Sequence, residues 1–218
     1  MKENEKISRD LKIIIIGDSG TGKTTLIKRY LGEEITSIKP TIVSEYSTKI
    51  FEHNDKMYRI QLWDIGGQDK STTIAKVFSR ESHGCIIVSS VNNNQTLENT
   101  ENWKETVKDD CKFIDGDDIP FFLLRNKIDL IQTEEEKESI EKETKIFCDE
   151  KGFDLYSITS ALENINVKEG IDSFFKHVIE RLERYLNKGN NIVGRESVKL
   201  NQNVGVRGKK QQNSKKCC

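Results

Sequence analysis

A glycine-rich octapeptide near the start of the chain has the composition of a phosphate-binding loop. Residues 17–24 read GDSGTGKT and match the pattern GxxxxGK(S/T) between an apolar run and a helical segment. Glycines let such a backbone curl, so that successive N–H groups point inward at phosphate oxygens, and the following helix adds its N-terminal dipole. The Lys23 ammonium would lie on the β- and γ-phosphates, and the Thr24 hydroxyl would bind Mg²⁺. The motif therefore predicts a P-loop that binds a nucleoside triphosphate. The residues expected to contact the nucleotide here are Asp18, Ser19, Gly20, Thr21, Gly22, Lys23, Thr24 and Thr25.

A second motif, WDIGGQ at residues 63–68, follows an apolar strand. Asp64 would support the Mg²⁺ shell. The N–H group of Gly67 could meet the γ-phosphate, because glycine has no Cβ to block the approach. The side chain of Gln68 would orient a water molecule in line with that phosphate, which makes Gln68 the predicted catalytic residue. An ordinary turn after a strand is the alternative, and the P-loop upstream disfavours it.

Two further motifs would choose the base, since a P-loop alone does not distinguish ATP from GTP. Residues 126–129 read NKID. The Asp129 carboxylate could accept hydrogen bonds from N1–H and the 2-amino group of guanine, whereas adenine would leave it unpaired. Residues 159–161, TSA, could offer a backbone N–H to guanine O6. We therefore predict GTP and GDP as ligands and disfavour a P-loop ATPase or kinase. The residues expected at the base are Asn126, Lys127, Asp129, Ser160 and Ala161.

These motifs need a scaffold, and the chain alternates short β-rich runs with longer stretches of helical period. Two alternating runs flank residues 53–56, HNDK, as a hairpin. The pattern predicts an α/β P-loop NTPase fold of six strands and five helices, with one antiparallel hairpin strand in an otherwise parallel sheet. Ligands of such folds bind at the C-terminal ends of the strands, where the motifs lie. The predicted strands cover residues 11–16, 45–52, 57–63, 85–91, 121–124 and 154–158, and four of the five helices are predicted at 25–31, 95–111, 134–151 and 167–186.

Charge and periodicity divide the chain into a folded body and a tail. The chain carries a net charge of −1, yet from Lys188 onward it has eight Lys or Arg and one acid, so a tail of about +7 follows a body of about −8. Helical periodicity stops after Leu186. We therefore expect residues 1–10 to be a short extension, 11–186 to be one folded domain, and 187–218 to be a disordered basic tail.

The cysteines and the apolar runs exclude several classes of protein. None of the five cysteines has CxxC spacing, so we expect neither a zinc site nor a disulfide framework, and a reducing compartment fits best. We expect no signal peptide, because the first ten residues have no apolar core. No apolar run approaches the ~20 residues that span a bilayer.

With its motifs in this order, the chain resembles the Ras superfamily of small GTPases from about residue 10 to residue 186, and among them the Rab proteins. Residues 41–46, TIVSEY, are similar to the Rab run TIGVDF, Trp103 lies where Rabs carry a helix tryptophan, and the chain ends in KKCC. The isoleucine of WDIGGQ, the insertion at residues 112–120 and the region 147–153 are most similar to the Rab subgroup that serves lysosome-related organelles.

The resemblance implies a switch that GTP and Mg²⁺ hold in its active state. Thr41 would join Thr24 and Asp64 around the metal and also meet the γ-phosphate. Loss of that phosphate on hydrolysis would release both switch loops. Hydrolysis should be slow without an activating protein, because no arginine finger is evident in the chain. The alternative is a hydrolysis-poor, nucleotide-bound scaffold, which the unusual Gly66, Ser71 and Ala75 of the second switch region would suit.

The aromatic residues of the hairpin and second switch allow two interpretations. They could simply pack between these two segments. The resemblance implies instead an exposed triad that effectors recognise only in the GTP form. The expected effector surface consists of Ile42, Tyr46, Trp63 and Phe78.

The resemblance also implies geranylgeranylation of both Cys217 and Cys218. A CaaX box is excluded, because its cysteine would stand at the position of Lys215, and a pair of free thiols is the alternative. Two lipid chains anchor stably where one binds marginally. The implied partners are effectors, an exchange factor, a GTPase-activating protein, a GDP-dissociation inhibitor and a prenylation escort. We expect a monomer without nucleic-acid partners, on the cytoplasmic face of an endolysosomal membrane and in the cytosol.

Overall fold

The buried isoleucine run near the N-terminus forms the middle of the sheet. In the computed structural model, which describes residues 7–35, 44–67 and 72–202, strand β1 (Ile7–Ile16) lies between β3 (Lys56–Ile65) and β4 (Gly84–Ser90). All seven residues of β4 are buried. A run that is apolar on both faces is typical of a central parallel strand, which helices cover on both sides.

The six strands of the described residues form one sheet in the order β2-β3-β1-β4-β5-β6. Strand β2 (Ser44–His53) is antiparallel to β3, and the other neighbours are parallel, including β5 (Phe121–Asn126) and β6 (Leu155–Thr159). The hairpin turns at Asn54 and Asp55, whose φ angles of 51° and 58° suit a tight turn between twisted strands. The predicted mixed sheet with one antiparallel hairpin strand is confirmed.

The described part of the chain has five α-helices, as predicted, of which four connect strands and the fifth follows β6; a 3-10 turn (Ile128–Leu130) follows β5. Local chemistry sets several of their ends. The Thr133 side chain accepts from the Glu136 N–H to begin α4, and Gly152 ends α4 in a left-handed conformation with φ of 65°. The helices are α1 (Lys23–Leu31), α2 (Thr72–Ser79), α3 (Asn94–Lys108), α4 (Glu134–Lys151) and α5 (Val167–Gln202).

Two elements extend beyond the limits expected from the sequence. Strand β1 begins at Ile7, inside the expected N-terminal extension, because its first residues pair with β3. Helix α5 continues past Leu186 to Gln202. Residues 187–202 contain no proline, and a helix already formed adds one hydrogen bond for each residue that joins it. The domain limits of 1–10, 11–186 and 187–218 remain predictions.

The chain divides into two units, residues 1–181 and residues 182–218. The first unit holds the whole sheet and all the predicted nucleotide residues. None of the helices that the structure describes combines the length and apolarity needed to cross a bilayer.

Candidate nucleotide site

The loop between β1 and α1 can form only because glycines occupy its bends. Gly17 and Gly22 have φ angles of 135° and 96°, which other residues rarely adopt. A Cβ atom on Gly17 would lie 2.3 Å from the backbone oxygen of Val88, and one on Gly22 would lie 2.4 Å from Nδ2 of Asn126. The two glycines thus let the loop pack against β4 and β5 at the C-terminal edge of the sheet.

Lys23 spans this loop from the first turn of α1. Its Nζ atom donates to the backbone oxygens of Gly17, at 2.8 Å, and of Asp18, at 3.0 Å. Burial lowers the pKa of Lys23, although the charges of Asp64 and Asp18 oppose that shift. The ammonium therefore lies where it could meet phosphate oxygens, next to the exposed loop residues Ser19 and Gly20.

Thr24 and Asp64 form the predicted metal pair. The Thr24 hydroxyl donates to Oδ2 of Asp64, which joins α1 to the end of β3. Burial raises the pKa of Asp64 to about 6, against the hydrogen bond from Thr24 and the charge of Lys23. Among the described residues, Oδ1 of Asp64 has no hydrogen-bond partner although it is buried.

Such a hydroxyl and carboxylate suit Mg²⁺, which takes one or two protein oxygens and completes its shell with phosphates and water. Gly67 lies close to the same loop. A Cβ atom on Gly67 would come within 2.5 Å of the Gly17 oxygen and 2.6 Å of the Ser19 nitrogen. The closeness of this backbone to the P-loop agrees with the role expected for Gly67 beside the phosphates, and nothing larger than glycine fits there.

Asn126 links the P-loop to the segment after β6. Its Nδ2 donates to the backbone oxygen of Thr21 at 2.9 Å, and its Oδ1 accepts from the Ala161 N–H at 3.1 Å and from Thr159 Oγ1 at 3.3 Å. Asn126 is 1% exposed. Removing this side chain would leave several buried donors and acceptors unpaired, so Asn126 acts mainly as the connection between the two loops.

Asp129 and Ser160 meet on the base side of the site. The Ser160 hydroxyl donates to Oδ1 of Asp129 and accepts from the Glu163 N–H at 2.9 Å. Lys127 begins the turn that carries Asp129, in a left-handed conformation with φ of 73°. The structure thus brings Asp129, Ser160 and Ala161 together. The expected donor to guanine O6 was a backbone N–H within residues 159–161, and of these the Ala161 N–H donates to Asn126.

The three aromatic residues of the expected effector surface form a continuous row. The ring of Trp63 lies 5.0 Å from that of Tyr46 and 5.7 Å from that of Phe78. Tyr46 is 51% exposed. The row therefore packs between hairpin and α2 while it presents Tyr46 to solvent, and the effector role stays a prediction.

Several predicted residues lie outside the described part of the chain. They are the switch residue Thr41, the effector residue Ile42, the catalytic Gln68, and the lipidation residues Cys217 and Cys218. Their roles stay predictions.

Four hydrogen bonds around the loops were not foreseen from the sequence. The Asp18 carboxylate accepts from Asn99 Nδ2 at 2.7 Å and from Trp103 Nε1 at 2.9 Å, both on α3. Arg29 on α1 donates to the backbone oxygen of Ala161 at 2.8 Å and also to that of Leu162. In the sequence, only the resemblance to the helix tryptophan of Rab proteins marks Trp103, and no local pattern marks Asn99 or Arg29.

Known proteins resemble the chain over most of its length. The family model described as Ras family matches residues 12–180. The GTP-binding protein yptV5 of Volvox carteri is 38% identical over 164 residues, which are 75% of this chain and 79% of the relative. The Ras-related protein Rab7 of Pisum sativum is 34% identical over 180 residues, 81% of this chain and 87% of the relative. The Ypt/Rab-type GTPase ypt7 of Schizosaccharomyces pombe is 33% identical over 175 residues, 79% and 84% of the two chains.

These matches confirm the resemblance that the motifs indicated. They also support guanine nucleotides as the ligands and GTP hydrolysis as the reaction. Members of the family bind guanine nucleotides and hydrolyse GTP. The chain therefore belongs to the Ras family, as a small GTPase of the Rab kind that is similar to the Rab7 proteins.

Proposed function

We propose that this Rab GTPase is a magnesium-dependent switch in vesicle trafficking, which recruits effectors to a membrane in its GTP form. The observation that carries the proposal is the meeting of all described motifs at one edge of the sheet. Lys23 spans the P-loop, Thr24 bonds to Asp64, and Asn126 joins the P-loop to the segment beside Asp129. Such an edge is where open α/β sheets bind ligands.

Each motif has one task in this proposal. The P-loop and Lys23 hold the β- and γ-phosphates, while Asp129 recognises guanine beside Ser160 and Ala161. Thr24 and Asp64, with Thr41, would hold Mg²⁺, which neutralises charge on the phosphates. The buried Oδ1 atom of Asp64, which has no hydrogen-bond partner among the residues that the structure describes, supports this assignment, because a buried carboxylate oxygen is costly without a partner.

Switching follows from contacts that only GTP can make. With the γ-phosphate present, Thr41 and Gly67 would be drawn to the nucleotide, and Gln68 would orient the attacking water. Loss of the phosphate would release both segments and lower the affinity for effectors at Tyr46, Trp63 and Phe78. A hydrolysis-poor scaffold is not favoured, because the chain matches a protein described as a Rab-type GTPase.

The tail would attach the switch to its membrane. We assign lipidation to Cys217 and Cys218 and expect the cytoplasmic face of an endolysosomal membrane as the site of action, in keeping with the similarity to Rab7 proteins. The Rab family implies effectors and regulators in general. We further propose an exchange factor, a GTPase-activating protein, a GDP-dissociation inhibitor and a prenylation escort as its partners.

Single-turnover hydrolysis of bound GTP tests the assignment of the catalytic residue. We expect the wild-type protein to hydrolyse GTP slowly and Gln68→Leu to hydrolyse it roughly tenfold more slowly, since a water-orienting side chain is lost while the binding residues remain. The affinity for GTP, measured in parallel, should not change. Equal hydrolysis rates in the two proteins would show that another group positions the water.

A further inference from the structure

An acidic side chain in the P-loop faces helix α3. Oδ1 of Asp18 accepts from the Trp103 indole N–H at 2.9 Å, and Oδ2 accepts from the Asn99 amide at 2.7 Å. Trp103 is buried and Asn99 is half-buried. Each carboxylate oxygen therefore has its own donor, and both donors belong to one helix that is remote in sequence from the loop.

The backbone of Asp18 serves the inside of the loop. Its carbonyl oxygen accepts from Lys23 Nζ at 3.0 Å and from Thr21 Oγ1 at 2.9 Å. The residue thus has a side chain that is bound to α3 and a carbonyl group that helps to place the ammonium of Lys23. Because both groups belong to one residue, a displacement of the Asp18 side chain would also shift the carbonyl oxygen that accepts from Lys23.

A carboxylate is an unfavourable group in a loop that binds phosphates. Two negative charges a few ångströms apart repel each other strongly where water is partly excluded. Hydrogen bonds from an amide and an indole offset part of this charge and hold it on the outer side of the loop.

We propose that Asn99 and Trp103 are positioning residues for the P-loop, which hold the Asp18 carboxylate away from the bound phosphates. This inference rests on the proposed role of the loop in binding nucleotide. Asn99 and Trp103 act on nucleotide affinity through Asp18, without touching the nucleotide.

An exchange of the donor and the acceptor between Asn99 and Asp18 tests the proposal. Asn99→Asp keeps the size of the side chain and its oxygen acceptor for Gln95, but it replaces the donor to Asp18 with a second negative charge. We expect the dissociation rate of a fluorescent GDP analogue to rise about tenfold, the effect of losing one charge-assisted hydrogen bond. Asn99→Asp combined with Asp18→Asn restores a donor and an acceptor at this place, so the rate should return close to that of the wild type.

Asn102→Asp is the matched control, because it adds the same charge to an exposed position of the same helix and should leave the rate unchanged. A role of Asn99 in packing alone predicts no effect of Asn99→Asp, since the two side chains have the same shape. That result, or a double variant no better than the single one, would overturn the proposal. A wild-type protein that does not bind guanine nucleotide would refute the proposed function instead.

Tryptophan fluorescence gives a second readout that does not depend on nucleotide release. The chain has two tryptophans, so Trp63→Phe leaves Trp103 as the sole emitter. In this background we expect Asp18→Ala to shift the Trp103 emission maximum, because the indole N–H loses its carboxylate acceptor. Thr48→Ser, a change at an exposed position of strand β2, should leave the emission as it is. An identical Trp103 spectrum after Asp18→Ala would contradict the contact.

Discussion

At the residue scale, burial prepares Asp64 for a metal ion. The residue is 2% exposed, and burial raises the pKa of its carboxyl group to about 6. An ionised carboxylate is costly in such a place unless donors or a cation compensate for the lost water. Thr24 supplies one donor, and a divalent cation would supply the remaining compensation for the lost water. Binding of Mg²⁺ should therefore be coupled to the ionised form of Asp64.

Replacement of Thr24 separates the metal from the rest of the site. In the wild type we expect Mg²⁺ to strengthen GDP binding at least tenfold, or about 1.4 kcal/mol. Thr24→Asn should lose most of this dependence, because an amide replaces the hydroxyl that bonds to Asp64. Thr24→Ser keeps the hydroxyl and should behave as the wild type. GDP affinity measured with excess Mg²⁺ and with a chelator checks both variants, and undiminished Mg²⁺ dependence in Thr24→Asn would remove Thr24 from the metal site.

At the element scale, one lysine joins α3 to the end of α4. Lys104 Nζ donates to the backbone oxygens of Lys151 and Gly152 at 2.5 Å each, where α4 ends. The same atom lies 5.2 Å from the ring centre of Phe121 and 5.0 Å from that of Phe153. A cation near a helix C-terminus compensates the partial negative charge of the last carbonyl groups. Lys104 therefore stabilises the packing of α3, β5 and α4 rather than the nucleotide.

The loss of this contact should lower stability without changing the nucleotide site. Lys104→Met keeps an unbranched side chain of similar length but removes the donor to two carbonyl groups, so we expect the free energy of unfolding to fall by about 1.5–3 kcal/mol. Lys108→Met on the same helix removes exposed ion pairs with Glu105 and Asp118 and should cost less than ~1 kcal/mol. Urea unfolding at saturating GDP measures both values. Equal losses in the two variants would show that the Lys104 contact is unimportant.

The same scale shows what the sequence could and could not reveal. The apolar runs and the motif order predicted the sheet, the helices and the clustering of Lys23, Thr24 and Asp64, because these depend on local pattern and on strand ends. The contact of Asp18 with Trp103 joins residues 85 apart, and that of Arg29 with Ala161 joins residues 132 apart. Such pairs depend on how finished elements pack, which no local pattern records.

At the scale of the whole molecule, charge separates the body from the tail. The body carries about −8 and the segment from Lys188 onward about +7. An acidic body would be repelled by an anionic membrane, so the proposed attachment would depend on the tail. Basic residues contribute about 1 kcal/mol each close to such a surface, but lipid chains contribute a hydrophobic energy that salt does not screen.

Salt should therefore distinguish the unmodified chain from the lipidated one. The unmodified protein should bind anionic vesicles weakly and lose them as salt rises, because exposed charges are screened over ~8 Å at physiological ionic strength. The prenylated protein should stay bound in high salt.

Replacement of both Cys217 and Cys218 by serine should release the protein from cell membranes while GTP affinity stays the same. A double variant that still sediments with membranes would favour a protein receptor over the lipid anchor.

Guanine recognition by Asp129 is the central claim, and competition for bound nucleotide tests it most directly. The experiment measures how well GTP, ATP and XTP each displace a fluorescent GDP analogue from the wild type and from Asp129→Asn. We expect GTP to displace the analogue from the wild type at concentrations at least ~10⁴-fold lower than ATP, because adenine leaves the Asp129 carboxylate unpaired. In Asp129→Asn the preference should move from GTP to XTP, whose C2 carbonyl accepts from the new amide. Equal displacement of the analogue by ATP and GTP in the wild type would contradict the account.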